Sequence, residues 1–161
     1  MQMADEKVLK EAKVAFSTLC AMLDDKEWHY SKDEDKLLVE CGANGDDLPI
    51  DIRIKVDPEK QIVSLYSTLP YKIPEEERVL AAIAISAMNY NMVDGNFDYN
   101  IGSGSVLFRL TSSFRESLVS KEMFEYMLFV SCLTVDRYND KLLMLVKNVM
   151  SLEDFINFCK E

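Results

Sequence analysis

The sequence is short of the residues from which metal sites are built. Its 161 residues contain one histidine, His29, and four cysteines that lie far apart and form no C-x-x-C pair: Cys20, Cys41, Cys132 and Cys159. Zinc and related metals are held by closely spaced cysteine and histidine pairs. We therefore expect no metal site and no bound cofactor, and we interpret the cysteines as reduced, partly buried thiols.

Long apolar runs are missing as well. No stretch approaches the roughly 20 apolar residues of a membrane helix, and the most apolar run, residues 123–135, is interrupted by Glu125. Residues 1–16 carry charges throughout and lack the apolar segment of a secretory signal. These absences predict a cytoplasmic protein that does not enter a membrane.

Basic residues are outnumbered by acidic ones. The chain has 18 Lys and Arg against 28 Asp and Glu, a formal net charge of −10. Binding to nucleic acid or to an anionic membrane depends on clusters of Lys and Arg, so we expect neither partner. An apolar content of 48% is sufficient for a folded core, and the length fits a single domain over residues 1–161.

No recognised catalytic motif is present. The sequence has no G-x-S-x-G nucleophile motif. Four oxygen-bearing side chains recur at every second position, as at the start of a calcium loop: Asp94, Asn96, Asp98 and Asn100. An EF-hand needs glycine and glutamate at the sixth and twelfth positions, which here hold Tyr99 and Ser105. We interpret this segment as the solvated face of a strand and predict a protein that is not an enzyme.

The spacing of apolar residues predicts four helices and six strands. Helical periodicity covers residues 4–23, 74–92, 121–149 and 152–159. Residues 28–31, 37–41, 50–56 and 61–69 are typical of an antiparallel meander, and residues 96–101 and 105–113 of a hairpin. The prolines at 70 and 74 are expected to stop the sheet. The order α-β-β-β-β-α-β-β-α-α predicts an α+β fold with an antiparallel sheet flanked by helices.

The predicted helix 121–149 has more apolar surface than a single contact with a sheet requires. One mainly apolar seam recurs at spacings of three and four: Phe124, Leu128, Ser131, Val135, Tyr138, Leu142, Leu145 and Val149. A second apolar set occupies the first half of the helix: Met123, Met127, Val130 and Leu133. Either the first helix covers this second set or another molecule does, and the sequence leaves both interpretations open.

A second copy of the chain is the molecule that we expect to cover it. Two-fold dimers are the commonest oligomers, and the dimer mass would be about 37 kDa, twice 18.5 kDa. The candidate interface residues for a dimer or partner are Met123, Met127, Val130 and Leu133, with Met88 and Met92 at the end of the helix 74–92 as the other candidate contact. On this hypothesis Met127→Glu dissociates the dimer, whereas Leu142→Glu damages the core.

Several segments resemble the YbjN-type family, a group of proposed bacterial sensory-transduction regulators. The similar segments are AAIAISAMN at 81–89, GNFD at 95–98, GSVLFR at 104–109, FEY at 124–126, DRYN at 136–139 and SLE at 151–153. The resemblance spans roughly residues 27 to 158. It implies the fold of type III secretion chaperones, in which helices flank a curved antiparallel sheet, and it implies a dimer. The family has no agreed catalytic residues, so none is transferred to this chain.

Two functional hypotheses follow. The first is a non-catalytic interaction module, chaperone-like or regulatory, that binds a partner protein of unknown identity through an apolar helix face, a groove or a free sheet edge. The alternative is a small-molecule sensor or cryptic enzyme with a pocket between the helix at residues 80–92 and the sheet. In that case His29 or Asp98 would supply the polar anchor.

Overall fold

The computed structural model describes residues 6–90 and 92–160 of the chain. The helices are α1 (Glu6–Asp25), α2 (Arg78–Tyr90), α3 (Lys121–Val146) and α4 (Leu152–Phe158). The strands are β1 (Tyr30–Asp33), β2 (Leu38–Asn44), β3 (Pro49–Asp57), β4 (Ile62–Lys72), β5 (Asn96–Asn100) and β6 (Ser105–Ser113). A short 3-10 turn, Glu75–Glu77, precedes α2. The element order and the α+β class predicted from the sequence are confirmed.

The six strands form one antiparallel sheet in the order β1-β2-β3-β4-β6-β5. In β3 the period-two pattern buries Ile50, Ile52, Ile54 and Val56 and leaves Asp51, Arg53 and Lys55 in solvent. The strand register extends this division across the sheet, because Val39, Ile54, Leu65 and Leu110 lie opposite one another in successive strands. The helices cover the buried face, and the charged face remains open.

Helix α3 is the centre of the helical layer. It contacts β3, β4 and β6 of the sheet and α1, α2 and α4 beside it. Its first turn is capped, because the Ser120 hydroxyl accepts a hydrogen bond of 3.2 Å from the Met123 N–H. Edge-to-face ring contacts then link Phe97 of β5 to Tyr138 of α3 and Tyr138 to Phe158 of α4. The sheet and both C-terminal helices are thereby joined.

Among the elements that end at other residues than predicted are β4, which contains Pro70, and α3, which is followed by a residue with a positive φ. Strand β4 continues past Pro70 to Lys72, because the register with β6 shifts between Thr68 and Lys72 and the missing N–H of proline is tolerated there. Helix α3 ends at Val146, since Asn148 adopts a positive φ of 58° that terminates the helix. His29 lies before β1, not within a strand. Predicted helical residues 4, 5 and 91 lie outside the described residues.

Two of the predicted interface residues belong to the core. Met127 is 2% exposed and Met88 is 1% exposed, so neither side chain is available at the surface of a single chain for the predicted contact. Met127 follows Phe124 by three positions and precedes Ser131 by four, and residues with these spacings share one face of a helix. The buried stripe of α3 is therefore broad enough to include Met127 within the contact with its neighbours.

This assignment changes the expected effect of substituting Met127. A carboxylate at a buried apolar position loses its hydration, so Met127→Glu and Leu142→Glu should each lower the free energy of unfolding by at least about 3 kcal/mol. Met123→Glu is the matched control, because Met123 is 42% exposed on the same helix. Urea unfolding at a fixed protein concentration measures all three. A Met127→Glu protein as stable as the Met123→Glu protein would contradict the burial of Met127.

The turn between β5 and β6 depends on one glycine. Gly104 has a φ of +75°, and a Cβ built there would lie 2.3 Å from the Ile73 carbonyl oxygen. We expect Gly104→Ala to lower the free energy of unfolding by more than about 1 kcal/mol, because alanine is strained in this conformation. Gly102→Ala is the control, since its Cβ would meet only the Asn100 Oδ1 atom at 3.4 Å. Equal thermal stability of the two variants would refute this role for Gly104.

Candidate functional site

The oxygen-rich segment at residues 94–100 is occupied by contacts within the protein. Asp94 accepts a hydrogen bond from the Tyr126 hydroxyl. Asp98 accepts one from the Asn96 amide and forms a two-point ion pair with Arg109, at 2.9 and 3.1 Å. Within residues 6–90 and 92–160, no group of three or more His, Cys, Asp or Glu side chains is arranged to hold a metal ion. No described helix combines the length and the apolar character needed to cross a membrane.

The thiols have the environment of small core side chains. Cys159 is buried, and the other three cysteines are half-buried. Burial raises the pKa of Cys41 to about 12 and that of Cys132 to about 11. Both thiols are therefore protonated at neutral pH, and a protonated thiol is a poor nucleophile.

The open face of the sheet carries charges that neutralise each other. One row of opposed residues crosses it from Glu40 through Arg53 and Tyr66 to Arg109. Arg53 contacts Glu40 at 2.8 Å, and Arg109 contacts Asp98. Asp98 is thus an ion-pair partner on this face and not a polar anchor beside α2. Pairs of this kind across neighbouring strands are typical of a solvated sheet surface.

One edge of the sheet is partly closed by α2. The Asn89 side chain donates a hydrogen bond of 2.9 Å to the Phe97 carbonyl and accepts one of 2.8 Å from the Phe97 N–H. Phe97 lies in β5, the outer strand on that side. Both backbone groups that an added strand would need at this residue are therefore occupied. A partner segment that extends the sheet would be hindered at β5.

The inner face of α2 is filled by packed side chains. Its buried residues, each at most 4% exposed, are Ala81, Ala84, Ile85 and Met88. The space beside α2 opens on the outer side of the helix, toward α4. His29 is exposed and lies outside that space. The alternative hypothesis places a small-molecule pocket between residues 80–92 and the sheet, and along α2 that space is filled by these packed side chains.

The outer face of α3 is an exposed apolar surface. Four large side chains on it are between 42% and 61% exposed: Met123, Tyr126, Phe129 and Leu133. Val130 is half-buried among them. The sequence analysis identified Met123, Val130 and Leu133 but missed Tyr126 and Phe129. Positions 123, 126, 130 and 133 are separated by three, four and three residues, as in the buried seam. This spacing indicated that Tyr126 shares the face of Met123, Val130 and Leu133.

A groove lies beside this outer face of α3. It has a volume of about 500 Å³ and lies between the end of α1, Trp28 and the first half of α3. The uncharged residues that line it are Met22, Trp28, Tyr126, Leu128, Phe129 and Cys132. Lys26, Glu122 and Glu125 stand at its rim, and Lys26 forms an ion pair with Glu125. We name this groove the α1–α3 groove.

A second groove lies between α2 and α4. Its volume is about 620 Å³, and its lining is Val79, Ala82, Ile83, Ser86, Ala87, Tyr90, Ile156, Cys159 and Lys160. Lys160 is the one charged residue among these nine. Small side chains along α2 leave space for another helix to approach the helix axis closely. Met92, the remaining predicted contact residue, is half-buried just beyond the end of α2. We name this the α2–α4 groove.

Comparisons with known proteins identify similar structures but no similar sequences. No protein-family model matches the chain, and no curated protein matches it. YbjN from E. coli, a proposed transcription regulator, has a TM-score of 0.59 and 13% identity, over 83% of this chain and 92% of that one. The HopA1–SchA chaperone–effector complex has a TM-score of 0.53 and 14% identity, over 82% and 97% of the two chains. An uncharacterized protein from Methanothermobacter thermautotrophicus has a TM-score of 0.52 and 15% identity, over 85% and 99%.

These neighbours agree with the fold that the resemblance in the sequence implies. Both comparisons with named proteins cover more than four fifths of this chain, so the shared part is most of the sheet-and-helix arrangement and not one motif. At 13–15% identity the likeness concerns the fold and does not transfer a function. The chain has the YbjN-type, type III secretion chaperone-like α+β fold.

Proposed function

We propose that this chain is a non-catalytic protein-binding module of the cytoplasm, with a chaperone-like or regulatory role. The observation that carries the proposal is the outer face of α3, where Met123, Tyr126, Phe129 and Leu133 expose large apolar side chains together. A contiguous apolar surface of this kind on a soluble domain is typical of a site for another protein. The partner binds by covering this face.

The chemistry of the remaining surface supports a binding role over a catalytic one. The thiols with raised pKa values are poor nucleophiles, and His29 is exposed and outside both grooves. Asp98 is neutralised by Arg109. Among the structural neighbours, one is a chaperone–effector complex and one is a proposed transcription regulator. These neighbours support a protein-binding role at the level of the fold.

We also propose that the chain forms a homodimer, and that the α2–α4 groove is the dimer contact. A chain with a net charge of −10 repels its own copy, so self-association requires a surface with few acidic residues. The α2–α4 groove meets this requirement, because its lining has no carboxylate and one lysine. Val79, Ile83 and Tyr90 on α2 are exposed there and would become buried.

The partner-binding role is tested by photo-cross-linking in cells. Replacing Phe129 by the photoreactive analogue p-benzoylphenylalanine should yield discrete cross-linked products that contain a second protein. The same analogue at Val149 is the control, because Val149 is similarly exposed, at 67% against 61%, but lies beyond the end of α3. Mass spectrometry of the products identifies what is captured. Position 129 giving no product, or the same products as position 149, would contradict the proposal.

The dimer is tested by light scattering. We expect a mass of about 37 kDa at micromolar concentration, twice 18.5 kDa. Ile83→Glu should give a folded monomer, because Ile83 is 48% exposed in one chain and a carboxylate in a dimer contact would be left without water. Phe129→Glu, in the other groove, should remain dimeric. A monomer mass for the unmodified chain would refute the dimer, and a dimeric Ile83→Glu protein would refute the α2–α4 contact.

A further inference from the structure

The α1–α3 groove combines an apolar floor with an acidic surrounding. Its floor is formed by the buried side chains of Met22 and Leu128, and Trp28 and the exposed Phe129 form its walls. The outer face of α3 continues from Phe129 to the other exposed apolar residues of the helix. From residue 123 to residue 133 this face is about 15 Å long, which is the length of roughly three turns of a helix laid against it.

Acidic side chains outnumber basic ones around this groove. The carboxylates among the residues that line it are Glu122 and Glu125, and the one cation among them is Lys26. Lys26 forms an ion pair with Glu125, so the negative charge of Glu122 has no lysine or arginine to balance it among the lining residues.

The surplus of negative charge is present at neutral pH. Glu122 lies in the first turn of α3, where backbone N–H groups and the Ser120 hydroxyl lower the pKa of its carboxyl. The carboxylate is therefore ionised, and it lines the groove with Glu125. An incoming segment meets negative charge on the rim before it reaches the apolar floor.

Starting from the proposed protein-binding role, we infer that the α1–α3 groove binds a basic amphipathic helix of a partner protein. One or two large apolar side chains of that helix fill the space beside Phe129 and Trp28, and its lysines or arginines face Glu122 and Glu125. Apolar anchors at positions i, i+3, i+4 and i+7 match the three turns of exposed surface on α3.

A second copy of this chain does not fit the same groove. Self-association there would bring the carboxylates around the groove in one protomer against those of the other, and like charges brought together destabilise an interface. An added strand is also a poor occupant, because the groove is bordered by helices and Trp28 instead of by an open sheet edge. The negative charge of Glu122 and the apolar floor together favour an occupant that is both basic and amphipathic.

The inference is tested with synthetic peptides and fluorescence anisotropy. The probe is a fluorescein-labelled peptide of about 14 residues, long enough for roughly four helical turns, made of leucine and lysine with leucine at i, i+3, i+4 and i+7. One control peptide has the same composition in scrambled order, and another has glutamate in place of lysine. We expect saturable binding of the probe that weakens as salt is raised. The scrambled peptide should bind at least about tenfold more weakly, and the glutamate peptide should not bind.

Substitutions in the protein locate the binding site. Phe129→Ala should weaken probe binding by about tenfold or more, because it removes the exposed aromatic wall. Glu122→Lys should weaken it and reduce its dependence on salt. Val149→Ala, at an exposed position beyond the end of α3, is the control and should leave binding unchanged. All three positions are exposed, and circular dichroism verifies that each variant is folded.

The outcomes separate this inference from the proposed function. Equal binding of the scrambled or glutamate peptide, or unchanged binding by Phe129→Ala, overturns the basic helix as the occupant. If cross-linking from position 129 still captures a protein in that case, the protein-binding role stands and only the class of partner is wrong. If the probe peptide does not bind and cross-linking from position 129 captures no protein, the proposed function is overturned as well.

Discussion

The structure depends on one constraint: a single sheet with one apolar face must be covered along its width. Helix α3 meets it by crossing β3, β4 and β6 while contacting α1, α2 and α4. Phe124, Val135 and Leu142 supply the contact and are at most 1% exposed. Because α3 packs against both the sheet and the neighbouring helices, its buried stripe is broad. The α3 residues outside this stripe form one outer face. The exposed apolar surface is thus a consequence of where the core places this helix.

The sequence predicted most of the fold because its strands have a strict period of two. In β3, alternation from Ile50 to Val56 fixes which side is buried, and the helix caps at Ser120 and Ser151 have the side-chain contacts that their residue types favour. The ends of elements that depend on pairing with a distant strand were harder to predict from the sequence. Whether a strand continues beyond Pro70 depends on the register with β6, and no local pattern in the sequence states that register.

The interface residues were harder to assign, because periodicity gives the angle around a helix but not the width of its buried stripe. Met127 lies near the border of that stripe, and the helices packed beside α3 determine that it is inside. Phe129 lies on the opposite side and outside both apolar sets that the sequence analysis identified, although Tyr126 and Leu133 stand three positions before it and four positions after it. Both assignments required knowing which neighbours α3 contacts.

Charge and apolar surface have different roles on this protein. A net charge of −10 attracts any basic molecule, but attraction of this kind is screened by salt and does not distinguish one surface from another. Apolar area is found in both grooves, but only the α1–α3 groove has Glu122 and Glu125 at its rim, whereas the lining of the α2–α4 groove has Lys160 alone. In the proposed assembly a second copy of the chain would therefore bind at the α2–α4 groove, and the carboxylates of the α1–α3 groove would repel it. The two proposed contacts use different residues, so in that assembly dimer formation and partner binding would not compete.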